Sequence, residues 1–114
     1  MLRGSLLLLL LLAGCSKGPQ ADLPSISEAR SIAAEWALIN EQAAKGQLTD
    51  KYVKAMHEAV REQLQTAAKS LTEPQSAYGN EIGQLLRESD DATPAELRGH
   101  ASKLKQIEQS LESA

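Results

Sequence analysis

From Ala29 to Leu111, apolar residues return every three or four positions, and nowhere do they sustain an alternation with polar ones. A strand sends successive side chains to opposite faces, whereas a helix gathers residues three and four apart onto one face. β-branched residues, which favour strands, are also few. The spacing therefore predicts an all-α chain. The expected architecture is a small antiparallel bundle of three long helices and one short one over residues 26–114.

Proline, glycine and capping residues divide that span. Ser25-Ile26-Ser27-Glu28 fits a capping box, in which a serine oxygen takes an orphan N–H and the glutamate reaches back. Ala29, Ile32, Trp36, Ile39 and Ala43 follow as one apolar face. Gly46 stands where a left-handed helix end is wanted, and Thr49 can cap the next helix, so a short antiparallel hairpin is expected. Val53, Met56, Val60, Leu64, Ala67 and Leu71 form the second stripe, which Pro74 ends or kinks. Over residues 75–90 two readings stand: Ile82, Leu85 and Leu86 line a separate short helix, or Gly79 ends a continuation of the second. Thr93-Pro94-Ala95-Glu96 is a helix start, with Thr as cap, Pro in the first turn and Glu three residues on. Leu97, His100, Leu104, Ile107 and Leu111 then step along one seam.

Composition limits what such a bundle can be. Of the 37 apolar residues beyond Cys15, 16 are alanine, so the helices must approach closely to bury enough surface. The same segment carries 11 basic and 15 acidic residues, with no basic patch interleaved with aromatics. That excludes nucleic acid, whose phosphates need clustered cations, and a polybasic attachment to anionic lipid. One cysteine allows no internal disulfide.

The N-terminus is of a different kind. Arg3 precedes an unbroken leucine run from Leu6 to Leu12, extended by Ala13. As a helix this run spans ~12 Å, against ~30 Å of bilayer hydrocarbon, which suits a signal-peptide core and not a membrane span. It ends in Leu12-Ala13-Gly14-Cys15. This resembles the lipobox of bacterial lipoproteins, where a branched residue and two small residues precede the modified cysteine. The small residues let a peptidase approach the backbone. The resemblance implies cleavage of residues 1–14, a thioether-linked diacylglycerol on Cys15 and acylation of the new amine. Two or more chains are what stable anchoring requires. The competing reading is an ordinary secretory signal with a chance cysteine. Ser16 replaces the aspartate that holds some lipoproteins in the inner membrane, so the periplasmic face of the outer membrane is favoured in a bacterium with two membranes. Residues 15–25, with Gly18, Pro19 and Pro24, read as the lipidated cysteine and a flexible tether. Ten extended residues reach ~33 Å, enough to stand the domain off the membrane.

Few residues beyond Cys15 suggest chemistry. His57 shares a helix surface with Arg61, and a metal reading would join His57, Glu58 and His100. No His-x3-His or cysteine pair supports one, so no metal and no cofactor beyond the covalent lipid is expected. Asp90-Asp91 reads as a solvated turn, since no calcium-loop pattern surrounds it. Trp36 is either a core anchor or an anchor for a partner. These observations together predict a non-enzymatic envelope lipoprotein. Its helical domain would bind another envelope protein or support an assembly. The alternatives are a carrier sheltering a small apolar ligand between helices, and a small enzyme using His57 or His100.

Overall fold

A computed structural model describes residues 18–114; Leu12, Ala13, Gly14 and Cys15, and with them the expected leader and attachment site, lie outside the described residues. Among the described residues there are four helices and no strand: α1 (Leu23–Ala44), α2 (Asp50–Lys69), α3 (Ala77–Leu86) and α4 (Pro94–Glu112). The chain is the all-helical bundle that its periodicity predicts.

Long-range bonds fix the directions. Thr72, just past α2, bonds Asp22 at the start of α1, and His57 early in α2 bonds Asn40 late in α1, so these helices are antiparallel. Arg30–Glu108 and Glu41–Arg98 make α4 antiparallel to α1 as well. Tyr78 at the start of α3 also reaches Asp22, and Asp90 beyond its end reaches Trp36, so α3 runs with α1. α1 touches all three partners, most extensively α4, while α2 and α4 do not meet. The fully buried stripe Ala29, Ala33 and Ala37 gives α1 a face with nothing larger than a methyl group. Trp36, Ile26, Leu64, Ile82, Leu85, Leu97 and Leu104 fill the centre.

Local signals account for most helix ends. Gly46 adopts φ 71°, with Gly46 N–H donating to Ala43 O and Gln47 N–H to Gln42 O. This Schellman motif needs the left-handed residue that glycine supplies cheaply. Thr49 caps α2 by accepting from Tyr52 N–H at 3.1 Å. Thr93 and Glu96 form the full capping box of α4, with Pro94 in its first turn.

Two expectations need correction, and one open choice is decided. α1 begins at Leu23, and no Ser25–Glu28 capping box forms. Pro24 is tolerated there because the first-turn N–H groups lack helical partners anyway. The expected tether is folded from Gly18 onward: Ala21 N–H donates to Gly18 O, Asp22 N–H to Pro19 O, and Asp22 is buried. α2 ends at Lys69, before Pro74, and α3 is a separate helix capped by Ser76. The reason lies in Asp22. Its carboxylate takes the N–H groups of Thr72 (2.8 Å) and Glu73 (3.1 Å), which a continuing helix would have used internally. Gly79 ends no helix. A Cβ there would stand 2.1 Å from the Pro74 carbonyl oxygen, so glycine is required by close approach.

Candidate functional site

The described polar chemistry concentrates around the segment 87–93 that joins α3 to α4. Two pairs, each spaced four apart, meet above it: Trp36 and Asn40 on α1, His57 and Arg61 on α2. Trp36 Nε1 donates to Asp90 O at 3.0 Å. Asn40 Nδ2 donates to Asp90 O (3.0 Å) and Ala92 O (2.7 Å). Arg61 donates through its two terminal nitrogens to Leu86 O (3.0 Å) and Glu88 O (2.5 Å), and through Nε to the Asp90 carboxylate at 2.6 Å. Three side chains thus satisfy the carbonyls of residues 86, 88, 90 and 92. Arg61 also brings a cation to the negative end of the α3 dipole. Its guanidinium carbon lies 5.1 Å from the Trp36 ring centroid, a cation–π distance.

His57 completes the cluster. Asn40 spends its amide hydrogens on two carbonyls, so its Oδ1 must accept, and His57 Nε2, 2.7 Å away, must donate. This fixes the proton on Nε2 and leaves Nδ1 without a partner among the described residues. The imidazole stands 6.5 Å from the Trp36 ring at 59°.

Beside His57 a groove opens at the end of the bundle. α1, with 22 residues, is ~33 Å long; α3, with 10, covers only ~15 Å of it. Beyond the segment after α3, the gap between α2 and α4 has no fourth helix to fill it. The result is a groove of about 450 Å³, floored by Ala43 and Ala44 and walled by Val53, Ala92 and Pro94, with Asn40 and His57 at its edge. The same gap explains why Val53 of the predicted α2 stripe is only partly buried.

His100 lies in a different place. Its Nδ1 is 2.5 Å from Glu81 Oε2 and its Nε2 2.7 Å from Glu88 Oε2, with little of any of the three side chains exposed. Both ring nitrogens face carboxylate oxygens, an arrangement that favours the imidazolium, in which both donate. Burial opposes that charge, but the bonds to Glu88 and Glu81 outweigh it and hold the His100 pKa above its ordinary value. The triad ties α3 to α4.

At the opposite end Asp22 forms a third cluster. Besides the two N–H groups, it accepts from Thr72 Oγ1 (3.0 Å) and Tyr78 OH (2.6 Å). Burial alone would raise this carboxyl; the Tyr78, Thr72 and Glu73 donors prevail and lower it. Burial, and then the bond to Asp22, push the Tyr78 phenol up to about 12.

His57 and His100 are not brought together: one bonds Asn40, the other Glu81 and Glu88. Asp90 and Asp91 also diverge, the first to Arg61 and the second to the Ser89 hydroxyl. Glu58 joins neither histidine, and among the described residues no group of three or more His, Cys, Asp or Glu side chains is arranged to hold a metal ion. Trp36 is fully buried, so it presents no surface to a partner and acts as an internal anchor. Sequence reading missed Asn40, Asp22 and Glu81. For Asn40 a signal existed: an amide set into an apolar face, one turn after the only tryptophan, must find buried partners. Comparison with known families, with curated proteins and with solved structures finds no match to this chain.

Proposed function

We propose that this chain is a lipid-anchored protein of the bacterial cell envelope, whose four-helix domain serves as a non-enzymatic interaction or structural module. The observation that carries the reading is Leu12-Ala13-Gly14-Cys15, the chain's only cysteine at the end of a leucine run, with a folded helical domain beginning three residues later at Gly18. Residues 1–14 are the signal peptide, and Cys15 bears the covalent lipid, the one cofactor. With Ser16 following, the periplasmic face of the outer membrane is the favoured site in a two-membrane bacterium. No helix among the described residues is long and apolar enough to cross a membrane.

The module reading draws support from how the polar side chains are used. Trp36, Asn40 and Arg61 hold backbone carbonyls, and His100 holds two carboxylates. These are tasks of scaffold building. The groove beside His57 is the surface offered to an envelope partner. Its apolar lining of Ala43, Ala44, Val53, Ala92 and Pro94 also favours a second reading, a carrier of a small apolar ligand, held at the bundle end and not between the helices.

Intact-mass analysis of the mature protein tests the anchor. The N-terminus is expected at Cys15 with lipid attached, and Cys15→Ala should accumulate precursor. A soluble product cut elsewhere defeats the assignment. In vivo cross-linking followed by capture from native membranes separates the two roles: a reproducible protein partner supports the module, a co-purified small molecule the carrier. His100→Ala, which leaves the groove lining untouched, should keep the biological role once folding is checked; a folded variant that loses it points to chemistry at His100.

A further inference from the structure

Two residues, Ser16 and Lys17, separate Cys15 from the described fold. Three Cα–Cα steps reach at most about 11 Å. Gly18 is itself held in the fold. Its carbonyl accepts from the Thr72 hydroxyl at 3.2 Å and from Ala21 N–H, and four residues on, Asp22 is buried with four hydrogen bonds. Gln20 Nε2 adds a bond to Leu111 O at 2.9 Å, tying the same turn to the end of α4. The chain therefore leaves the bundle at one defined end, made of residues 18–22, 70–76 and 111–114.

We infer that this end is the surface that lies against lipid headgroups, and that the groove beside His57 faces away from the bilayer. The inference rests on the reading of Cys15 as acylated. A leash of about 11 Å keeps the attachment end at the membrane, while α1 carries the groove ~33 Å away along its axis. The composition of the surfaces agrees. A bundle lying on its side would need an apolar stripe facing outward to bury in the interface. Among the described residues the exposed large hydrophobics are Leu38 and Tyr52, both in the groove half. The attachment end instead exposes Gln20, Lys69, Thr72, Glu73, Gln75 and Glu112. Acidic and basic groups are mixed there, which suits hydrated headgroups and supplies no cationic patch for anionic lipid.

The acylated protein in vesicles of phosphatidylethanolamine and phosphatidylglycerol tests this directly. With Cys15 blocked by lipid, a single introduced cysteine can carry a fluorophore. Gln75→Cys marks the attachment end and Gln47→Cys the groove end; both positions are exposed and their side chains make no hydrogen bond. Nitroxide-headgroup lipid should quench the label at 75 several-fold more than the label at 47. Equal quenching, or stronger quenching at 47, in a sample whose intact mass shows acylated Cys15 and which floats with the vesicles, overturns the orientation and leaves the anchor standing. A sample without acyl chains that fails to float overturns both.

Discussion

The two ends of the bundle solve the same problem with opposite chemistry. At the Asp22 end, the segment between α2 and α3 presents N–H groups, and a buried carboxylate accepts them. At the Trp36 end, the segment between α3 and α4 presents carbonyls, and Trp36, Asn40 and Arg61 donate to them. Between the two lies α3, ten residues long and carrying Gly79 and Gly83. Glycine costs up to ~1 kcal/mol per helical position, so this helix has little stability of its own. It is held from outside: by Asp22 before its start, by Arg61 at its end and by the Glu81–His100 contact in its middle. A weak element can thus be placed firmly when long-range side chains satisfy the backbone on both sides of it.

Breaking the carbonyl-holding end should have the largest effect. Trp36→Ala removes the largest fully buried side chain and frees Asp90 O of one donor, and should destabilise the fold by ~3–5 kcal/mol in urea unfolding followed by circular dichroism. A loss below ~1 kcal/mol shows that the 87–93 segment is held without the indole.

The amide-holding end comes next. Asp22→Ala leaves Thr72 N–H, Glu73 N–H and Tyr78 OH without their acceptor, and should cost ~3 kcal/mol. Asp22→Asn keeps the shape and should cost less. The pH dependence separates them further. The Asp22 pKa is lower folded than its ordinary 3.8, so its contribution is complete above that pH and is lost as pH falls through the lowered folded value. In Asp22→Asn that part of the acid sensitivity disappears. If both proteins lose stability in parallel below pH 4, the charge of Asp22 is not what holds this end.

The middle contact responds in the opposite direction. His100 is held above its ordinary 6.5, so its contribution is complete below that pH and is lost as pH rises through the raised folded value. His100→Ala leaves Glu81 and Glu88 facing each other without a cation, and should cost ~2 kcal/mol at pH 6 and less at alkaline pH. An alkaline loss of stability that persists in His100→Ala belongs to another group.

The smallest effect is local. Thr93→Ala removes the α4 cap and should cost ~1 kcal/mol, without disturbing either end segment. Amide exchange distinguishes this from the others: protection should fall in the first turn of α4 and stay unchanged at Thr72 and Glu73.

Short-range physics made much of this legible in the sequence. The three-and-four spacing fixed helices over strands. Gly46, Thr49 and the Thr93–Glu96 box marked three helix ends, because each acts on backbone groups within a few residues of itself. His100 was placed on its seam by the same spacing. The tertiary structure alone decided where Asp22 goes. Its partners are 50 to 56 residues away, and only their arrival turns an apparent tether into the start of the fold and stops α2 at Lys69. Asn40, Arg61 and Glu81 share that dependence: a polar residue on a helix face reads the same whether its partner is water or a carbonyl from a distant segment. The groove, too, follows from the mismatch between a ten-residue α3 and a 22-residue α1, which no single helix records. Periodicity, capping and turn residues depend on neighbours along the chain, so sequence determines them. Satisfaction of buried polar groups depends on neighbours in space, so only the packed chain can assign them.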